Sequence, residues 1–252
     1  MEVIDLQNCG VPAVYAKEPK GVSKQYTFIP TTRIVADLMT LGWHPVKVLG
    51  RSGSETARHV IRFRQPEHLA GGLQEVCPEI VMLNSHDGLS SFRLSAGLFR
   101  LVCSNGLVVS EAMFASISIR HIRYTYEAVR EAAVSYADNV PRISSCVERL
   151  RSLRLLEAEK LEFANDLMKI RFTPEIVGKR EINLQKALTP LRAADKGDDL
   201  WSVFNVLQEK IINGRVFTVT GEKMRRATNA ERNIKLNQAM FDLTMQYGAR
   251  KL

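Results

Sequence analysis

The spacing of apolar positions changes twice along this chain. Up to residue 30 there is no period, and Pro12, Pro19, Gly21 and Pro30 punctuate short apolar stretches, which predicts irregular backbone. Ile34, Val35, Leu38 and Leu41 then recur at helical spacing, with Thr31 or Thr32 as the cap and Gly42 as the stop. A two-residue period follows. Residues 45–49 and 58–64 flank the turn-rich Gly50–Ser54 and predict a hairpin. In its second strand His59, Ile61 and Phe63 alternate with Arg58, Arg62 and Arg64, so one face is expected to pack and the other to present three guanidiniums. Further strands are predicted at 79–84, 91–94, 99–103 and 116–122, with turns at Gly88, Gly97 and Gly106.

From about Tyr124 the pattern is helical. One helix carries Ala128, Val129, Ala132 and Tyr136 and is expected to end near Pro141. A second is predicted from Ile143 to Ile170, with Leu153, Leu156, Phe163, Leu167 and Ile170 inward. Leu200, Val203, Phe204, Leu207 and Ile211 make a third stripe behind the capping candidates Asp198 and Asp199. Thr228 and Glu231 have the spacing of a capping box, ahead of Leu236, Met240, Leu243 and Tyr247 on one helical face. Arg215–Gly221, between these last two helices, predicts a short strand or turn. The fold class expected is α+β, an antiparallel sheet in the N-terminal half packed by a long helix, with a helical C-terminal third. The expected division is a core over residues 1–172 and a mainly helical region over 173–252, packed on the same domain.

Composition adds bounds. With 252 residues and 45% hydrophobic content the chain can bury a proper core. Cys9, Cys77, Cys103 and Cys146 form no Cys-x-x-Cys pair and are expected as buried thiols. The start Met-Glu-Val-Ile-Asp has no basic, apolar leader pattern, and no run of eighteen apolar residues occurs. The expectation is a cytoplasmic protein with no membrane partner.

The motifs of common chemistries are missing. There is no G-x-x-x-x-G-K-[ST] loop, no G-x-G-x-x-G after a strand and no H-E-x-x-H, so neither cofactor nor metal is expected. The Gly50–Ser54 turn places its second glycine one residue early for a nucleophile elbow. His86-Asp87 before Gly88 reads as a turn, since adjacent residues there point apart. Cys103 and His121 would pair only on neighbouring strands. Residues 79–126 hold only Glu79, Asp87 and Glu111, too few for a metal-dependent nuclease. No catalytic residue is assigned.

Charge is the positive signal. The net charge is +8, and residues 173–252 contribute 14 basic against 9 acidic side chains, which favours a polyanionic partner. Lys210, Arg215, Lys223, Arg225, Arg226, Arg232 and Lys235 face only Glu222 and Glu231 in their stretch. Arg225 and Arg226 precede the Thr228 cap, so cations and helix N–H groups are expected to converge on a phosphate. A second basic element is the sheet face of Arg58, Arg62 and Arg64, with Arg93, Arg120 and Arg123 as neighbours and Tyr124 and Tyr126 for base stacking. Edge protection by charge is its bland alternative.

The run Phe99-Arg100-Leu101-Val102-Cys103-Ser104-Asn105-Gly106-Leu107, followed by Ile119-Arg120-His121, resembles a family of phage- and plasmid-borne proteins catalogued as domain of unknown function 932. Asp199–Glu209 and Lys235-Leu236-Asn237 resemble its C-terminal landmarks, and the likeness covers roughly residues 25–247. It implies a mobile-element setting. Asn105 is its tempting functional residue, against a left-handed Asn-Gly turn. The order of elements is also similar to that of single-strand annealing recombinases, which bind DNA without ATP or metal and form rings or filaments.

The expected function is therefore non-enzymatic binding of nucleic acid, single-stranded DNA first. Arg58, Arg62, Arg64, Arg120 and Arg123 would contact it from the sheet, and Arg215, Lys223, Arg225 and Arg226 from the C-terminal region. A homo-oligomer is implied by the analogy. Two alternatives stay open: an interaction factor that blocks a host defence complex, and a nuclease.

Overall fold

The computed structural model describes residues 3–66, 76–100, 106–108, 117–119, 121, 125–172 and 181–251. The fold is α+β, and the chain divides into two compact units, Met1–Val140 and Pro141–Leu252. That division falls earlier than the boundary at residue 172 expected from the helical pattern.

In the first unit, short 3-10 turns at Leu6–Asn8 and Pro12–Tyr15 precede α1 (Thr31–Thr40). The strands follow as β1 (His44–Leu49), β2 (His59–Arg64), β3 (Val76–Asn84), β4 (Phe92–Arg100), β5 (Gly106–Val108) and β6 (Ile117–Ile119). They form one antiparallel sheet in the order β1-β2-β3-β4-β5, with β6 also paired to β4. The hairpin predicted around Gly50–Ser54 joins β1 and β2, while the two strands predicted at 91–94 and 99–103 are a single β4 through Gly97 as far as Arg100. Residues 101–103 lie outside the described residues.

Ile34, Val35 and Leu38 of α1 are buried, as the periodicity requires. Thr31 is no cap, however. Pro30 occupies the N-cap position, and the Thr31 hydroxyl is 2.8 Å from His59 Nε2. A hydroxyl with a buried partner available does not spend itself on the helix end.

The second unit holds the end of α2 (Tyr126–Ser152), then α3 (Glu157–Arg171), α4 (Leu184–Leu188), α5 (Leu200–Asn213) and α6 (Ala230–Arg250). Pro141 does not end a helix. It sits inside α2, and the break comes at residues 153–156. The cause of the break is tertiary: Leu155 N–H donates to the Asp198 carbonyl (2.7 Å) and Leu200 N–H to that of Leu153 (2.8 Å), so this backbone pairs outside the helix. Helix α5 is the centre of the unit and contacts α3, α4 and α6. Its stripe is buried as expected, and so is the rest of it except Ser202 and Asn213. Asp199 caps it, accepting from the Ser202 N–H (2.9 Å). No described helix is long and apolar enough to cross a membrane.

Candidate nucleic-acid interface

The sheet arginines are not where the alternation placed them. Both faces of β2 are buried, and Arg62 and Arg64 keep only 8% and 3% of their surface. Register explains their company. Arg64 stands across from the β3 segment that carries Glu79, and Glu79 lies on the same sheet face as Arg62 and Arg64. Its carboxylate, fully buried, accepts from Arg62 Nη1 (2.6 Å) on one oxygen and from Arg64 Nη2 (2.8 Å) and Nε (2.9 Å) on the other. Alternation fixes which side chains share a face but not whether that face meets water. The expectation of an exposed guanidinium ladder at Arg62 and Arg64 is corrected to a buried ion cluster. Arg58, just before β2, is half-buried and donates to the Leu89 carbonyl (3.3 Å). Arg120, Arg123, Tyr124, Cys103, Asn105 and Glu111 lie outside the described residues.

The opposite face of the same sheet is polar in the interior too. Asn84 Nδ2 donates to Thr31 Oγ1 (2.9 Å), which stands 2.8 Å from His59 Nε2. His59 Nδ1 lies 3.1 Å from the Ala57 carbonyl. A carbonyl only accepts, so Nδ1 carries the proton, Nε2 accepts from Thr31, and the ring is neutral. His86 places Nε2 2.9 Å from the Ala13 carbonyl, by the same logic as donor. Burial pushes both imidazoles down to about 4, and for His86 the neighbouring His59 adds to the effect. His86 and Asp87 make no pair, and the turn reading of that dipeptide stands, with Gly88 at φ 71° and Asp87 Oδ1 accepting from Leu89 N–H (3.0 Å).

The C-terminal cluster is different. Arg215 is half-exposed and ion-paired to buried Glu209 (3.3 Å), which also takes both ends of the Arg192 guanidinium (2.7 and 2.8 Å). Lys210 leaves the surface altogether. It is buried, and its ammonium donates to the carbonyls of Lys186 (2.6 Å) and Thr189 (2.5 Å) at the end of α4; burial lowers its pKa. Lys223, Arg225, Arg226 and Arg232 are exposed, and among the described residues no carboxylate lies within 4.0 Å of them.

The backbone that carries these four is held closely. Glycine at 214 ends α5 in the left-handed region (φ 65°), and a Cβ there would stand 2.5 Å from the Arg226 nitrogen and 2.7 Å from the Met224 oxygen. Only glycine lets the turn lie this near. Met224 N–H donates to the Val216 carbonyl (2.9 Å), Ala227 N–H to that of Ile212 (3.0 Å), and Asn233 Nδ2 to that of Ala227 (2.9 Å). Arg171, at the end of α3, donates through Nη2 to the Arg225 carbonyl. The cap of α6 is Asn229, which accepts from Arg232 N–H (2.9 Å), so the cap predicted at Thr228 falls one residue later. Gly214, Asn229 and Arg171 were missed as parts of this site. A Gly directly after the apolar stripe of α5 was the one signal present in the sequence.

Comparison with known proteins places the chain. The sequence pattern described as domain of unknown function (DUF932) matches residues 20–241. The chain belongs to this family. Two Escherichia coli (strain K12) proteins, UPF0380 protein YafZ and UPF0380 protein YfjQ, are each 30% identical to it over 241 residues, covering 92% of this chain and 86% of theirs. No solved structure matches this DUF932 chain.

Proposed function

We propose that this chain is a non-enzymatic nucleic-acid-binding protein of phage or plasmid type. In this reading it acts in the cytoplasm and takes single-stranded DNA on the basic turn from Lys223 to Arg232. One observation carries the reading: a backbone pinned by hydrogen bonds and by contact at Gly214 holds four exposed cations that have no carboxylate partner among the described residues. Cations held in place lose less freedom on meeting a phosphate chain than cations on a loose loop do. Each one that neutralises a phosphate releases condensed counterions, which is a sequence-independent driving force. Annealing of complementary strands is the further activity that the resemblance to recombinases implies. Arg62 and Arg64 drop out of the contact set, because they are buried and bonded to Glu79.

Fluorescence anisotropy of a labelled oligonucleotide against the full chain tests the proposal. Micromolar or tighter binding at low salt, weakened by exchanging Arg225 and Arg226 for glutamate, supports it. Absence of binding at low salt ends it. Retained binding in a nuclease-treated pull-down of a host protein, with none to DNA, would favour the interaction-factor alternative instead.

A further inference from the structure

The first unit contains a cleft far in sequence from the basic turn, and its chemistry is of the opposite kind. It measures about 460 Å³ and is lined by Tyr26, His121 and the Asp87–Ser91 turn, with Ser23 and Gln25. That volume lies within the range of small-ligand pockets. Among the described residues lining it there is no lysine or arginine, and Asp87 is the one side chain with a formal charge. His121 does not change this balance, since burial lowers its pKa and its Nδ1, 3.3 Å from the Thr27 carbonyl, is the protonated nitrogen of a neutral ring.

The groups are fixed before any ligand arrives. Tyr26 and His121 stack with ring centroids 4.6 Å apart and 12° between their planes. The Tyr26 hydroxyl donates to the Ser85 carbonyl (3.0 Å), which holds the ring upright, and burial followed by the charge of Asp87 pushes the phenol up to about 12. Ser85 Oγ donates to Asp87 Oδ1 (2.9 Å), and Leu89 N–H donates to the same oxygen (3.0 Å). Asp87 Oδ2 has no hydrogen-bond partner among the described residues. Ser90 Oγ, 2.7 Å from Ser85 Oγ, adds a hydroxyl beside it. The Arg58 guanidinium donates to the Leu89 carbonyl of this turn (3.3 Å).

An oriented carboxylate oxygen, an aromatic wall and hydroxyls, with no cation among the described lining residues, make a poor phosphate site and a good one for a positively charged donor. We propose that this cleft binds a small organic cation carrying N–H donors, an ammonium or guanidinium, with Asp87 Oδ2 as its counter-charge and Tyr26 as the ring beside it. The site is independent of the nucleic-acid reading and stands or falls without it.

Agmatine, which carries both kinds of cation, is the probe. Titrated into the full chain and followed by calorimetry and by the aromatic NMR resonances of Tyr26 and His121, it should bind and shift both rings. Asp87→Asn should weaken binding at least about tenfold, the loss of one charge-assisted hydrogen bond, while the exposed Glu148→Gln leaves it unchanged. Inorganic phosphate should neither bind there nor compete. The ring shifts in the wild-type chain keep the test valid even if Asp87→Asn unfolds. No ring shift at about 10 mM agmatine, equal binding by a folded Asp87→Asn chain, or displacement by phosphate would overturn the proposal.

Discussion

Two arginine pairs in this protein have opposite fates. Arg62 and Arg64 stand two residues apart on a strand, and Arg225 and Arg226 stand side by side in a turn. The first pair is buried and shares one carboxylate, Glu79. The second is exposed, and the backbone rather than the side chains has been fixed. Basic residues of the first kind hold a fold together, and in the proposed function those of the second kind meet a partner. Residue type and count are alike in the two cases; the difference is what the neighbouring chain supplies.

The comparison is broken most severely at Glu79. Replacing it with alanine leaves two guanidiniums buried without their counter-charge, and the expected loss is about 3–5 kcal/mol of stability, read by urea denaturation. Arg225→Ala with Arg226→Ala should shift the same transition by less than about 0.5 kcal/mol. A Glu79→Ala chain as stable as the wild type would mean that the cluster is solvated after all.

Acid probes the other face of the same sheet. His59 titrates near 4 in the folded chain and near 6.5 when unfolded, and His86 is displaced in the same direction. As pH falls the unfolded state takes up these protons first, so stability is full above about 6.5 and is lost between there and about 4. For His59 alone the loss approaches about 3 kcal/mol. Denaturation midpoints across this window should fall steadily as pH is lowered; a flat profile would show that the imidazoles are not held neutral.

A smaller effect sharpens the second pair. Gly214→Ala places a Cβ against the Arg225–Arg226 backbone at a positive φ, at an expected cost of about 1–2 kcal/mol. DNA affinity should fall with it, because the turn is displaced while its charges are kept. Anisotropy titrations that show unchanged affinity would mean that the fixed backbone is irrelevant to binding.

Much of the fold was legible because local period decides it. The β1–β2 hairpin and the buried stripe of α5 follow from spacing alone, and Asp199 caps α5 as its position suggested. What was not legible depends on partners distant in the chain. Thr31 is drawn from its helix end by His59, and the helix break at 153–156 is set by backbone from 198–200. Arg62 and Arg64 look like surface residues until Glu79 is placed beside them. The one sequence signal was the carboxylate itself, lone in the apolar run from Cys77 to Leu83. Of the candidate interface, Arg225, Arg226 and Lys223 were readable from charge and Gly214 showed as a glycine after the apolar stripe, whereas its close approach to the turn and the cap at Asn229 emerge only from the folded chain. The cleft of Tyr26, Asp87 and His121 joins three distant segments and leaves no local pattern to read.

The salt dependence of single-stranded DNA binding tests the central claim most directly, since it counts phosphates neutralised whatever the absolute affinity. Replacing Arg225 and Arg226 by alanine should make the slope of log K against log salt shallower by about 1.4, two contacts at about 0.7 each on a single strand, with the folding transition unmoved. An unchanged slope would contradict the account and place the phosphate contacts elsewhere on the chain.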